Sequence, residues 1–491
     1  MTAESFIASV AIVGLVIAVS TLLSGAIDRS GVPHAAVFLL LGLLIGPHGL
    51  ALLDLGLDAP MLRAVSTLGL VLVLFTDALG LDLPEVRRHL GLAVRVLGPG
   101  TLTTAAVLAF AAWWLLGLEP APAAVLGAAL ASTDPVVLRG MLRRPGLPDS
   151  ARVALRLESG LNDAVLLPIV LGGMSLMGAG ATAWGRLAVN VLLLGPVIGI
   201  VVGVVAVSVL AAVRRRTGIR RDYESLYSLG VAFTTYAAAE AVHGSGFLAA
   251  FAAGLTILSL DVELCDCFLE YGETTAEMAL LFAFVLFGTS IVWTGLDGLD
   301  GPTLLFAGLV IALRPLIYMV ALLGSGLERR PRLLVAWYGP RGLSSLLLVS
   351  LPVFAGVPGA EPLLHVTTVV VIASLAVHGA SLVVQARTTQ RPAAAPAAAV
   401  VAVSAAPAVA AAAPSPSAAG TPARDTISID ELRALLAGGE HVVLGDVRTE
   451  RSARGSETEA AGAVRIDPDR PVESARALAI PTGATIALYC A

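Results

Sequence analysis

Four polar side chains stand within six residues of an otherwise apolar stretch of the sequence. The segment ESGLNDA, which an uncharged run follows, contains Glu158, Ser159, Asn162 and Asp163. At about 100° per residue these side chains share one face of an α-helix, within an arc of roughly 140°. A carboxylate that faces lipid costs several kcal/mol, so this face is expected to meet protein or water, where carboxylates mark ion paths. A buried structural cluster is the alternative.

A second polar motif interrupts the apolar segment at about 122–142. It reads Thr133-Asp134-Pro135. Pro135 has no N–H, so it leaves the carbonyl of Ala131 without its helical partner and disfavours helical geometry at Asp134. A helix broken inside a membrane is tolerated where it lines a cavity, and transporters build ion sites from such breaks. Thr133 supplies a hydroxyl and a carbonyl, and Asp134 can hold the free amides. A kinked helix capped by Asp134, with no transport role, is the alternative.

Two arginines also lie in apolar surroundings. Arg314 occurs in LVIALRPLIYMV and Arg341 in WYGPRGLSSLLLV. Arginine keeps its charge in proteins, so each side chain needs a partner, and Glu158 is a candidate for either. If Glu158 is paired in this way, Asp163 is the carboxylate left to exchange a proton for a cation.

The composition identifies the elements that must position these residues. The chain of 491 residues is 57% hydrophobic and 14% charged, with a mean hydropathy of +0.87. A soluble protein carries about 25% charged residues. Apolar runs of about 20 residues, enough to cross a bilayer, recur from residue 5 to residue 387. The sequence therefore predicts an all-α polytopic membrane protein of about thirteen spans. The first run is interpreted as a retained helix rather than a signal peptide.

The arginines predict the orientation of the chain. They concentrate in the loops after odd-numbered spans, as in Arg214, Arg215 and Arg216. Positive loops face the cytoplasm, so the N-terminus is expected outside and the C-terminus inside the cell membrane.

Composition also divides the chain into three parts. The transmembrane domain is predicted at 1–387 and an uncharged Ala/Pro-rich linker at 388–424, where recurring prolines favour a flexible or semi-extended segment. Residues 425–491 have the charges and short β-like runs of a soluble domain.

The polar motifs occur in a definite order along the chain: Thr133-Asp134-Pro135, the Glu-Ser-x-x-Asn-Asp series at 158–163, Phe287-Gly288, Arg314-Pro315 and Gly339-Pro340-Arg341-Gly342. This series, across residues 1–387, closely resembles the monovalent cation:proton antiporter family of the NhaP/NHE type. The resemblance implies inverted repeats, a homodimer, and two discontinuous helices that cross near the ion. The second discontinuous helix would contain Gly339 to Gly342.

The resemblance also implies roles for individual residues. Asp163 would bind the cation and the proton in competition, and the oxygen shell would be completed or supported by Thr133, Ser159 and Asp134. Glu158 would pair with Arg314, and Arg341 would be a supporting residue.

Asn162 stands where electrogenic relatives carry a second Asp, which implies electroneutral exchange of one proton per cation. The expected substrates are Na⁺ or Li⁺ with H⁺, K⁺ remaining open, in a role in pH homeostasis. The resemblance implies no cofactor and no nucleic-acid partner.

Other polar residues indicate a function less clearly. Asp77 departs from the family pattern and either lines the cation's access path or lies solvated near the cytoplasmic end. Cys265-x-Cys267 favours two ordinary thiols over a metal pair. Six of the seven histidines share no metal spacing, although any one could sense pH: His34, His48, His89, His243, His365 and His378.

The C-terminal part resembles a rhodanese-like domain. Asp446 and Arg448 follow an early β-like run, and Cys490 matches the position of the active-site Cys. The anion-cradling loop expected after that Cys has no counterpart before Ala491, so an incomplete, regulatory domain is expected. A short α/β tail with a structural Cys is one alternative. Another is a membrane-anchored sulfur-handling or sensor protein.

Overall fold

The computed structural model describes two compact units, Met1–Pro396 and Ala397–Ala491. In the first unit it describes residues 33–47, 49–52, 60–142, 147–179, 189–217, 221–260, 275–289 and 299–389, and in the second mainly 442–447, 462–466 and 485–489, with isolated positions elsewhere. The first predicted span, Cys265, Cys267 and most of the predicted linker lie outside the described residues.

The described part of the first unit consists of helices joined by short connections. Its α-helices are α1 His34–Ile45, α2 Pro60–Leu79, α3 Leu83–Arg88, α4 Leu90–Arg95, α5 Thr103–Leu116, α6 Pro120–Ala131, α7 Pro135–Leu142, α8 Asp149–Ala179, α9 Gly195–Arg216, α10 Arg221–Ala241, α11 Gly246–Leu260, α12 Thr275–Thr289, α13 Gly301–Ala321, α14 Arg329–Trp337, α15 Leu343–Phe354 and α16 Glu361–Thr389. Two π-helical segments, Val96–Leu102 and Val189–Leu194, lead into α5 and α9.

Several of these segments match the thickness of a bilayer. Six are long and apolar enough to cross it: Leu62–Leu79, Leu90–Leu116, Asp149–Gly178, Val191–Arg216, Gly301–Ala321 and Glu361–Ser381. Shorter apolar helices include one half of each interrupted span, Pro120–Ala131 and Leu343–Phe354. The helical, polytopic membrane architecture predicted from the sequence is confirmed, and the count of thirteen spans stays a prediction.

Two spans are interrupted inside the helical unit. The chain leaves helical geometry between Ala131 and Pro135, where Ser132 is extended (φ −61°, ψ 140°). It leaves it again between Trp337 and Leu343. Both interruptions lie where they are expected: Pro135 is a poor helix former, and the family resemblance places the second discontinuous helix at Gly339 to Gly342.

The long helix α8 remains continuous and turns its polar face inward. It runs for 31 residues with Pro168 inside it. Glu158 and Asn162 are fully buried and Asp163 is 2% exposed. The apolar positions around them pack against neighbouring helices, so burial of the polar face follows from the helical spacing of its members.

Close packing of α9 against α11 depends on a stripe of glycines. Gly195, Gly199 and Gly203 recur every four residues and are buried. A Cβ added at Gly199 would lie 2.2 Å from the carbonyl oxygen of Ala249 on α11. Small residues at this spacing let helix backbones approach each other within a membrane.

The second unit contains a small parallel sheet. Its strands are β1 Val442–Asp446, β2 Val464–Arg465 and β3 Thr485–Tyr489, in the order β2-β1-β3. Asp446, at the end of β1, is buried. Arg448 and Cys490 lie outside the described residues, so the rhodanese-like assignment stays a prediction.

The glycine stripe generates a matched pair of substitutions. We expect Gly199→Ala to lower the free energy of unfolding by about 1–3 kcal/mol, because the new methyl group overpacks the contact with α11. Gly230→Ala on α10 is the control, since a Cβ there meets nothing within 4 Å. Thermal unfolding in detergent would measure both, and equal midpoints for the two variants would contradict the packing argument.

Candidate ion-binding site

The two interruptions cross each other, and Asp134 joins them. Its backbone N–H donates to the carbonyl of Pro340 at 2.9 Å. Its carboxylate accepts from the N–H of Val137 at 3.3 Å through Oδ1 and from the N–H of Leu343 through Oδ2. One carboxylate therefore caps the N-termini of α7 and α15. Helix N-termini favour acceptors and negative charge, which suits the side chain of Asp134 to this buried place.

Glycines in the second interruption give this crossing its room. A Cβ at Gly342 would lie 1.9 Å from Oδ2 of Asp134, and a Cβ at Gly339 would lie 1.7 Å from Nε of Arg314. Any side chain at either position would displace a charged group. Both glycines of the Gly-Pro-Arg-Gly series are therefore needed because the charged side chains approach the backbone so closely.

Arginines cap the C-terminal ends of the other two half-helices. Nη1 of Arg341 donates to the carbonyls of Ala131 and Ser132, each at 2.9 Å, at the end of α6. The carbonyl that Pro135 leaves without a helical partner therefore has one. Nη2 of Arg314 donates to the carbonyls of Val335 and Tyr338, each at 3.2 Å, at the end of α14. Cations near helix C-termini complement the macrodipole.

Arg314 is also the ion-pair partner of Glu158. Their atoms Nη2 and Oε1 are 2.9 Å apart, and both side chains are buried. The hydroxyl of Thr133 donates to Oε1 of Glu158 at 2.7 Å. The guanidinium lies 4.0 Å from the ring centroid of Tyr318, in reach of a cation–π interaction. The sequence left open whether Arg314 or Arg341 pairs with Glu158, and in the structure the partner is Arg314.

Asp163 has a different environment. Oδ1 accepts a hydrogen bond from the hydroxyl of Ser132. Oδ2 is buried and has no hydrogen-bond partner among the residues that the structure describes. The same holds for Oδ1 of Asn162, whose Nδ2 donates to the carbonyl of Thr133 at 3.3 Å. Buried acceptors nearly always have a partner, so two open oxygens on adjacent residues suit a proton or a hard cation.

Ser159 lies beside a cavity of about 160 Å³. Its hydroxyl donates to the carbonyl of Arg156 at 3.4 Å. Asp77 and Pro135 line the same cavity. Asp77, which the sequence left between two interpretations, therefore borders a space that reaches the start of α7.

Two serines near Asp163 were not predicted as site residues from the sequence. Ser132 donates to Asp163, and Ser344 on α15 is a second hydroxyl close to that carboxylate. Each lies beside an interruption, one directly before Thr133 and one two residues after Gly342. Position next to a predicted break was the signal that could have found them.

The chain is similar to known proteins over its helical part. Residues 15–387 match the family model described as sodium/hydrogen exchanger, transmembrane. The K⁺/H⁺ antiporter NhaP of Alkalimonas amylolytica is 29% identical over 77% of this chain and 66% of its own length. The K⁺/H⁺ antiporter NhaP2 of Shewanella sp. (strain ANA-3) is 27% identical over 79% and 68%. The chain thus spans just under two thirds of the first relative.

A third relative and a solved structure extend the comparison. The Na⁺/H⁺ antiporter NhaH of Halobacillus dabanensis is 26% identical over 58% of this chain and 72% of its own length. The structure of the sodium proton antiporter MjNhaP1 from Methanocaldococcus jannaschii at pH 8 aligns with a TM-score of 0.63 at 22% identity. It covers 76% of this chain and 99% of that one. At this identity the likeness shows a shared fold.

The buried ion pair generates the first prediction from the site. Glu158→Gln should lower the free energy of unfolding by about 3–5 kcal/mol, because it leaves Arg314 charged and uncompensated. Adding Arg314→Met removes that charge together with the bonds to the carbonyls of Val335 and Tyr338, so the loss in the double variant should be smaller than the sum of the losses in the two single variants. Unfolding in detergent measures all three variants, and additive losses would refute the pairing.

The carboxylate of Asp134, which caps both α7 and α15, generates the second prediction from the site. Asp134→Ala should destabilise the protein by about 1–4 kcal/mol, since two caps of about 0.5–2 kcal/mol each are lost. Asp300→Ala is the control: Asp300 caps only α13, through the N–H of Thr303 at 2.8 Å. The same unfolding assay compares them. If Asp134→Ala unfolds no more readily than Asp300→Ala, the carboxylate does not hold the crossing together.

Proposed function

The chain belongs to the transmembrane sodium/hydrogen exchanger family, and on that premise we propose that it exchanges a monovalent cation for a proton across the membrane at Asp163. The observation that carries the proposal is the contrast between two buried carboxylates. Glu158 is neutralised by Arg314, whereas Oδ2 of Asp163 has no hydrogen-bond partner among the described residues. Of these two carboxylates, only Asp163 has an oxygen atom available to bind a proton or a cation in turn.

Competition for Asp163 gives the exchange. When Asp163 is ionised, its free oxygen and the amide oxygen of Asn162 offer oxygen ligands, which hard cations prefer. A proton on the same carboxylate removes the negative charge that holds the cation. Each release of one species therefore prepares the site for the other, and the two cross the membrane in opposite directions.

The stoichiometry follows from the neighbours of Asp163. Asn162 is neutral and its amide is bonded to the carbonyl of Thr133. Asp134 and Glu158 are each engaged, in helix capping and in an ion pair. A single exchangeable carboxylate supports one proton per cation, and hence electroneutral exchange.

The cavity beside Ser159 is the proposed access path. Its volume of about 160 Å³ holds several water molecules at about 30 Å³ each. Asp77 on its wall would attract cations towards the site. The distribution of arginines in the sequence favours a cytoplasmic opening, since the neighbouring ends of α2, α7 and α8 adjoin predicted cytoplasmic loops.

The flux assay described below identifies the transported cation. Oxygen ligands suit Na⁺, Li⁺ and K⁺ alike, and the relatives named above include antiporters described for K⁺ and for Na⁺. The expectation of Na⁺ or Li⁺ from the sequence therefore stands beside K⁺. A homodimer in the cell membrane and a regulatory role for the C-terminal unit are also proposed, from the resemblances described above.

The test is a flux assay in sealed proteoliposomes. With a pH gradient imposed, addition of Na⁺, Li⁺ or K⁺ should collapse the gradient for the wild type at zero membrane voltage, and the responding ion names the substrate. Asp163→Asn should reduce the rate to that of empty liposomes, because the amide cannot exchange a proton near neutral pH. Asp149→Asn is the control on the same helix, with a side chain 91% exposed. Exchange by Asp163→Asn, or none by the wild type with any of these cations, would overturn the proposal.

A further inference from the structure

A histidine with no assigned role is buried against the second interruption. His378 lies on α16 and is 4% exposed. Its ring faces the end of α14, with its centroid 5.7 Å from that of Trp337. Ser374, one turn earlier on α16, is fully buried beside it. The sequence offered no reason to single out this histidine, because its neighbours in space are about forty residues away in the chain.

One ring nitrogen binds the end of a half-helix. Nε2 of His378 is 3.2 Å from the carbonyl oxygen of Trp337, the last residue of α14. A carbonyl only accepts hydrogen bonds, so this contact is a hydrogen bond when Nε2 carries the proton. Nδ1 also lies 2.9 Å from a carbonyl oxygen, that of Ser374, and a neutral ring has one N–H, so it donates to one of the two carbonyls at a time. The carbonyl of Trp337 is one of the last carbonyls of α14, which have no hydrogen-bond partner within the helix.

The other ring nitrogen reaches the interruption through Ser374. The backbone N–H of Arg341 donates to the hydroxyl oxygen of Ser374 at 2.7 Å. That oxygen lies 3.1 Å from Nδ1 of His378. The hydroxyl is the acceptor for Arg341, so its own proton is free to be donated to Nδ1. The neutral tautomer protonated on Nε2 donates to Trp337 and accepts from the hydroxyl of Ser374, so it links α16 to both ends of the interruption. The carbonyl of Ser374 lies within α16, where the N–H groups of the helix are its ordinary partners.

We propose that His378, in this neutral form, is a positioning residue for cation/proton exchange that clamps both ends of residues 337–341 to α16. Within this segment Arg341 holds the carbonyls of Ala131 and Ser132, and Ser132 donates to Asp163. His378 thereby fixes the guanidinium that fixes the first interruption. The inference rests on the proposed function, but the clamp itself can be measured without transport.

The variants separate hydrogen bonding from packing. His378→Leu fills the space and removes both hydrogen bonds. His378→Gln restores a donor for Trp337 and an acceptor for Ser374 in one side chain. Ser374→Ala removes the link to Arg341 and leaves the bond to Trp337. His365→Leu, on the same helix and only partly buried, is the control.

The first readout is amide hydrogen exchange of the peptide that spans residues 337–343, followed by mass spectrometry. We expect His378→Leu and Ser374→Ala to speed its exchange by about tenfold, as the loss of one hydrogen bond implies. His378→Gln and His365→Leu should match the wild type. Unchanged exchange in both His378→Leu and Ser374→Ala would overturn the clamp. Should His378→Leu fail to fold, Ser374→Ala carries the test alone.

The second readout is the flux assay described above, with Vmax and the cation KM measured separately. His378→Leu should lower Vmax about tenfold and keep KM within about threefold, because His378 contacts no proposed cation ligand. His378→Gln should restore Vmax. Equal loss in His378→Gln and His378→Leu, or normal transport by His378→Leu, would overturn the positioning role. A wild type that transports no cation would instead refute the proposed function, and hydrogen exchange would then decide the clamp.

Discussion

The carboxylate of Asp134 is the constraint on which the rest of the site depends. Two interrupted helices leave four helix ends inside a helical unit where water is scarce, and each end carries backbone groups without helical partners. Asp134 binds amides at both N-terminal ends. Arg341 and Arg314 bind carbonyls at the two C-terminal ends. Without these three side chains the breaks would expose unsatisfied polar groups at high cost.

The charges of these side chains determine what the site can hold. Asp134 and Glu158 are two negative groups, and Arg314 and Arg341 are two positive groups, so the buried framework is neutral. Asp163 is a fifth charged side chain, and its ionisation leaves one uncompensated negative charge. A single proton or a single monovalent cation restores neutrality. The structural framework and the proposed exchange are therefore linked by charge balance, and a second exchangeable acid in place of Asn162 would change that balance.

Local sequence rules explain how much of this could be foreseen. Pro135 predicted the first break, because its backbone preference acts where it stands, whereas the second break was expected from the family resemblance. Helical spacing likewise predicted the buried face of α8. The partner of Glu158 was left open because Arg314 and Arg341 have identical chemistry, and only the fold decides which one reaches it. Ser132 and His378 were missed for a similar reason: their partners are 31 and 41 residues away, and serine or histidine in an apolar helix is usually unremarkable.

The shared carboxylate has a mechanical consequence. Since α7 and α15 are bonded to the same side chain, neither half-helix can slide or tilt far without the other. Arg314 ties α13 and α14 to Glu158 on α8, and Arg341 ties the segment after α14 to the end of α6. Hydrogen bonds and an ion pair therefore join these elements around Asp163. In the proposed exchange, elements joined in this way would move together relative to the apolar helices around them, and the oxygen atoms around Asp163 would keep their arrangement.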